Sequence, residues 1–108
     1  MPAEIDATTL ATRLADGLPT RLLDVRERWE FERVQIAGSI NVPLGELHGY
    51  VGELPDDPDT LIVTICHHGV RSLRAATILE AAGHRAVRSL AGGVDRWAVT
   101  IDSTLARY

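Results

Sequence analysis

Lysine is missing from this 108-residue chain; all eleven basic residues are arginines, a bias that reflects coding more than function. They are outnumbered by fifteen acidic residues, for a net charge of -4. No basic cluster is present to neutralise a phosphate backbone, which excludes nucleic acid as the natural partner. Cysteine is nearly missing as well. Cys66 stands alone, so the chain can form no internal disulfide, cysteine-rich metal site or dithiol redox pair. No apolar run is long enough to span a bilayer, so no membrane association is expected. The opening Met1-Pro2-Ala3-Glu4-Ile5-Asp6 lacks the basic start and apolar stretch of a secretory signal. Together with the lone cysteine, this sets a reducing cytoplasm as the expected location. Internal repeats and low-complexity segments are also lacking, and nothing points to an obligate dimer, so a monomer is expected.

What is present is ordinary globular composition, 45% hydrophobic and 24% charged. The length fits one domain over residues 1–108, with its core at about 5–98 and a polar tail at 99–108. Strand and helix signals alternate along the chain. Asp6 is placed to cap a helix with Ala7, Leu10, Ala11 and Leu14 on one face, ended by Gly17. Thr20 to Val25 reads as a buried strand and Glu27 to Val34 as a short helix. Ile36 to Val42 reads as a stretch with a short strand, and Pro43 opens a helix with Leu44, Leu47, Val51 and Leu54 on one side. The Pro55-Asp56-Asp57-Pro58-Asp59 segment is a turn-rich loop. Leu61 to Ile65 is an unbroken apolar run, the signature of a central strand covered on both faces. Ala75, Ile78, Leu79 and Ala82 mark a helix stopped by Gly83, Ala86 to Leu90 a last strand, and Gly92-Gly93 precede a short helix around Trp97. This order predicts an α/β domain: a central, mainly parallel sheet flanked by helices on both faces. Such sheets bind ligands beyond the carboxyl ends of their strands, which directs attention to the residues after Ile65.

Those residues are Cys66-His67-His68-Gly69-Val70-Arg71-Ser72. The strand fixes the cysteine and Gly69 permits a sharp turn. A helix beginning near Ser72 would offer unpaired amides and a partial positive charge. Loop amides curving around a centre make an anion nest, and a cysteine facing it is expected to sit largely as thiolate. Arg71 adds a permanent charge and a fork that matches oxyanions, and it could equally brace the loop through a carboxylate. Ser72 reads best as a helix cap, with a hydroxyl able to steady a thiolate. His67 and His68 could hydrogen-bond an anionic donor or carry protons. The simpler reading makes them solvent-facing positions whose backbone amides matter more than their rings. Two adjacent histidines without a carboxylate cluster do not make a metal site, and no cofactor is implied.

Elsewhere, Asp24 and Arg26 follow a buried strand on the same side. They read as an ion pair or a cap for the next helix more readily than as pocket residues. Trp29, Phe31 and Trp97 read as core or pocket wall, and His48 and His84 as surface.

The loop resembles the active loop of rhodanese-like sulfurtransferases. Three other segments resemble that family in the same order: Asp24-Val25-Arg26-Glu27 with Trp29-Glu30-Phe31, Ile36-Ala37-Gly38-Ser39-Ile40-Asn41-Val42-Pro43, and Leu90-Ala91-Gly92-Gly93-Val94-Asp95-Arg96-Trp97. The match runs from about Ile5 to Trp97 and is similar in style to small single-domain bacterial members. Gln35 departs from it, standing where the family often has histidine. The resemblance implies that Cys66 takes the outer sulfur of thiosulfate or a similar small anionic donor, becomes a persulfide, and passes the sulfur to cyanide, a thiol or a protein. The amides of His67 to Ser72 would then cradle the persulfide and the donor. Four residues separate Cys66 from Arg71. Related phosphatases of the cell-cycle type have five, and the shorter loop favours sulfur over phosphate. A phosphatase or arsenate-handling enzyme and a non-catalytic sulfur carrier remain the alternatives.

Overall fold

The computed structural model describes residues 3–108; Met1 and Pro2, the first residues of the expected leaderless start, lie outside it. Five parallel strands form one sheet in the order β1-β5-β4-β2-β3. They are β1 (Glu4–Ile5), β2 (Thr20–Asp24), β3 (Ile40–Asn41), β4 (Leu61–Ile65) and β5 (Val87–Leu90). The helices are α1 (Ala7–Ala15), α2 (Arg28–Arg33), α3 (Leu47–Tyr50), α4 (Val70–Ala81) and α5 (Gly93–Thr100). No helix among the described residues is long and apolar enough to cross a membrane.

The expected central strand is β4, in register with β2 from Thr20↔Leu61 to Asp24↔Ile65 and paired on its other edge with β5. Its continuous apolar run is explained by cover on both faces. Successive side chains point to opposite sides of a strand. Thus Val63 and Ile65 enter one core with Leu10, Leu22, Leu90, Val94 and Trp97, beneath α1 and α5. Ile62 and Cys66 enter the other with Leu23, Val25, Leu47, Ala75 and Leu79, beneath α3 and α4. The helix start at Asp6 is as expected: its carboxylate accepts from the Thr9 amide at 2.7 Å.

Several elements differ from expectation. Only Ile40–Asn41 of the Ile36–Val42 stretch pairs as strand, because Ser39 turns back to the Ile36 carbonyl and Gly38 has φ +86°. The helix expected from Pro43 is broken into a 3₁₀ turn (Leu44–Glu46), α3, and a second 3₁₀ turn (Val51–Glu53). Gly45, Gly49 and Gly52 interrupt it, and glycine is a poor helix former. Its apolar side still packs, with Leu47 and Leu54 buried. Trp29 is not a core residue: it is 61% exposed on the outer side of α2. Phe31 is half-buried, and Trp97 lies in the core. The interior place near α2 is taken instead by Arg26, among the largest fully buried side chains. The expected polar tail at 99–108 starts inside a helix. Residues 93–100 are helix, and Leu105 and Tyr108 pack back against the core.

Candidate active site

The carboxyl ends of β2, β4 and β5 converge where the sequence placed the site. Cys66 follows β4 directly and is only 1% exposed. The chain turns at once into α4, which starts at Val70, two residues earlier than expected, with Gly69 as its cap at φ +109°. That left-handed conformation aims the Gly69 amide at Cys66 Sγ, to which it donates at 3.0 Å. A side chain on Gly69 would press on the Gly92 nitrogen at 3.3 Å.

The outer side of the loop is held by α5. The Val94 amide donates to the Cys66 carbonyl at 2.8 Å, and the Asp95 amide to the His67 carbonyl at 3.1 Å. These are amides of the first turn of α5, which a helix cannot satisfy internally. Gly93 has φ +57°, and a Cβ there would overlap the Cys66 and His67 carbonyls. The Gly92-Gly93 pair therefore lets α5 approach the loop backbone to bonding distance. With the loop carbonyls bonded to α5 and the Gly69 amide bonded to the sulfur, the site has the polarity of an anion nest.

Ser72 is not the helix cap it was expected to be. It lies inside the first turn of α4, fully buried, with its hydroxyl 3.4 Å from Cys66 Sγ and 2.7 Å from the Ser89 hydroxyl on β5. The Thr64 hydroxyl donates to the Ser72 carbonyl at 2.7 Å and fixes that turn from below. Val70 is 78% exposed, so its side chain takes no part in the cradle.

Arg71 reaches across to α2 and makes a two-pronged pair with Glu30, at 2.6 and 3.0 Å. Glu30 is buried, and its carboxyl is held down to about 2 from the ordinary 4.5 by the Arg71 hydrogen bond, which outweighs the opposing effect of burial. The same pair raises Arg71. Asp24 and Arg26 form the expected structural pair. The buried guanidinium donates to both Asp24 oxygens, to the Val34 and Glu30 carbonyls, and to the Tyr108 hydroxyl. Tyr108 in turn donates to Glu30 at 2.8 Å.

The two histidines differ. His68 is exposed, with Nδ1 3.9 Å from an Asp95 carboxylate oxygen. His67 is half-buried, contrary to the solvent-facing expectation. Its ring stacks between those of His68 and Tyr108, each 3.9 Å away. Burial, then the neighbouring His68, lowers its basicity. Among the described residues no three His, Cys, Asp or Glu side chains gather as a metal site requires.

The loop residues Cys66, Gly69, Arg71 and Ser72 are thus brought together with four residues the sequence did not single out: Glu30, Ser89, Gly93 and Tyr108. Only Gly93 left a local signal, as half of a glycine pair before a helix. Ser89 meets the loop from 17 residues away, and Glu30 and Tyr108 each from 41, at Arg71 and at the His67 ring.

A parallel sheet with the cysteine loop at the carboxyl end of its central strand defines a class of small α/β domains. Within it, the chain belongs to the rhodanese-like domain family, which matches residues 6–100. It is 34% identical over 98 residues to a sulfurtransferase of Allochromatium vinosum, covering 91% of this chain and 90% of that one. It is 32% identical over 100 residues to the thiosulfate:glutathione sulfurtransferase of Homo sapiens, covering 82% of this chain and 86% of that protein. Among solved structures, a human single-domain sulfurtransferase superposes with a TM-score of 0.82 at 27% identity, over 93% of this chain and 98% of that one. These relatives support sulfur transfer as the general activity.

Proposed function

We propose that Cys66 is the nucleophile of a sulfurtransferase and carries a sulfur atom as a persulfide. The observation that carries this reading is the Gly69 amide bonded to Sγ at 3.0 Å inside a loop whose carbonyls are drawn off by α5. A sulfur anion there is met by the Gly69 main-chain N–H.

In the first half-reaction the Cys66 thiolate attacks the outer sulfur of thiosulfate. The S–S bond of the donor breaks and its electron pair leaves with sulfite. The new Sγ–S bond leaves the charge on the outer sulfur of the persulfide, a reversible state of cysteine. In the second half-reaction a thiol, a protein thiolate or cyanide attacks that outer sulfur. The electron pair returns to Cys66, completing a covalent two-step cycle. In this reading the Gly69 amide and the Ser72 hydroxyl meet the sulfur, and the amides of His67, His68, Val70, Arg71 and Ser72 would complete a cradle for the transferred atom. Arg71 braces the loop through Glu30 and, being partly exposed, keeps N–H groups available for the donor. A small anionic donor and a thiol or protein acceptor fit this arrangement, and a reducing compartment such as the cytoplasm suits a mechanism with one free cysteine.

Intact mass spectrometry after thiosulfate treatment tests the proposal. The expected result is the gain of one sulfur atom, removed by cyanide and absent in Cys66→Ser. Wild-type protein that stays unmodified would refute thiosulfate as donor.

A further inference from the structure

Tyr108 joins the two parts of the site that differ most, the ionic group at α2 and the loop at Cys66. Its hydroxyl accepts from Arg26 Nη1 at 2.8 Å and donates to Glu30 Oε2 at 2.8 Å. Both capacities are committed, so the direction of the O–H bond is fixed. Its ring lies nearly parallel to His67, 9° apart, directly beside the candidate nucleophile in sequence. Trp29 meets the same ring edge-on at 6.2 Å, and the Arg33 guanidinium lies 6.0 Å above it. Burial raises the phenol above its ordinary ionisation range, so the hydroxyl keeps its hydrogen throughout the neutral range.

The consequence for Arg71 follows from the oxygens of Glu30. Oε1 takes Arg71 Nη1 at 2.6 Å and the Glu27 amide at 3.1 Å. Oε2 is shared: it accepts from Arg71 Nη2 at 3.0 Å and from Tyr108 at 2.8 Å. Each oxygen thus accepts two bonds, and Tyr108 is the side-chain donor that shares with Arg71 the oxygen to which the guanidinium makes its longer bond. Three of its five N–H bonds have no claim from Glu30, and the side chain is 36% exposed.

We propose that Tyr108 is a positioning residue for recognition of the anionic donor: its hydroxyl sets the tilt of Arg71 through Glu30, and its ring holds the His67 end of the loop. This rests on the reading of Cys66 as the nucleophile. The two parts act on different quantities. The hydroxyl acts on attraction of negative charge to the site, whereas the ring acts on the reactivity of Cys66 toward any electrophile.

The test uses the full chain and two variants, Tyr108→Phe and Tyr108→Leu, with three reagents for Cys66. Thiosulfate delivers sulfur; iodoacetate and iodoacetamide alkylate the thiolate with loss of iodide and differ only in the charge of the carboxylate. Tyr108→Phe is expected to load from dilute thiosulfate about five-fold more slowly, the size of one ordinary net hydrogen bond, and to lower the iodoacetate-to-iodoacetamide rate ratio similarly. Its iodoacetamide rate should stay at the wild-type value. Tyr108→Leu should also slow iodoacetamide. An unchanged thiosulfate rate and ratio in Tyr108→Phe, or an equal fall with all three reagents, would overturn the role of the hydroxyl. An unchanged iodoacetamide rate in Tyr108→Leu would overturn that of the ring. Because the ratio of the two alkylating agents needs no sulfur transfer, the inference can be judged even if wild-type protein fails to load from thiosulfate.

Discussion

The loop that carries Cys66 is held on two flanks by two different kinds of bond. Toward α5 the hydrogen bonds are main chain to main chain: Val94 and Asp95 amides on the Cys66 and His67 carbonyls, with Gly93 allowing the approach. Toward α2 they are side chain to side chain: Asp24, Arg26, Tyr108, Glu30 and Arg71 in one chain of charged and polar groups. The main-chain bonds of the first flank rest on backbone geometry and do not depend on ionisation. The second depends on the ionisation of buried carboxylates and on long side chains holding one rotamer each. The difference predicts how each responds to substitution, acid and salt.

The heaviest blow falls on the ionic flank. Asp24→Asn leaves the fully buried Arg26 guanidinium without its carboxylate, and a broken buried pair costs about 3–5 kcal/mol. Urea unfolding should report that loss; a change smaller than about 1 kcal/mol would show that Arg26 finds other compensation. Breaking the main-chain flank comes next. Gly93→Ala combines a positive φ with overlap of the loop carbonyls and should cost about 2–3 kcal/mol. Its thermal unfolding should drop while the pH dependence of stability keeps its wild-type shape.

Acid separates the flanks without altering either backbone. Glu30 is depressed from 4.5 to about 2, so its contribution is fully present above pH 4.5 and is lost as the pH falls through about 2. The shift is worth about 2 kcal/mol once solvent screening of the partly exposed Arg71 is allowed for. Stability measured from pH 5 to pH 2 should decline in wild type more than in Glu30→Gln, where this group no longer titrates. Equal slopes would remove Glu30 as the cause. The smallest effect belongs to Arg107→Ala. Its pair with Asp95 is at the surface, outside the ionic flank, and its loss should leave the melting temperature unchanged.

The same division explains what was legible in the sequence. The sheet, the strand at Leu61–Ile65 and the turn at Gly69 were readable because local pattern decides them: an apolar run of strand length, then a cysteine, then glycine before a helix. The main-chain flank was half-legible, since Gly92-Gly93 announce a close approach without saying to what. The ionic flank was not. Glu30 meets Arg71 across 41 positions, and Tyr108 meets Arg26 across 82. Trp29 shows the limit most sharply. Its size argued for the interior, but the space beside α2 went to Arg26, whose every donor finds an acceptor there, and Trp29 was left outside. Composition alone cannot rank a satisfied arginine above an indole. Ser72 was placed two residues wrongly relative to the helix start, because Gly69 begins α4 without a side-chain cap.

The amide cradle has one more implication, for how such a domain can diversify. The Gly69 amide and the Ser72 hydroxyl face the sulfur, whereas His68 and Val70 project into solvent from the same loop. Chemistry and recognition are therefore written in separate alphabets on the same few residues. The outward side chains can be exchanged to suit a new acceptor while the inward dipoles stay as they are, so one cradle can serve many partners without being rebuilt for any of them.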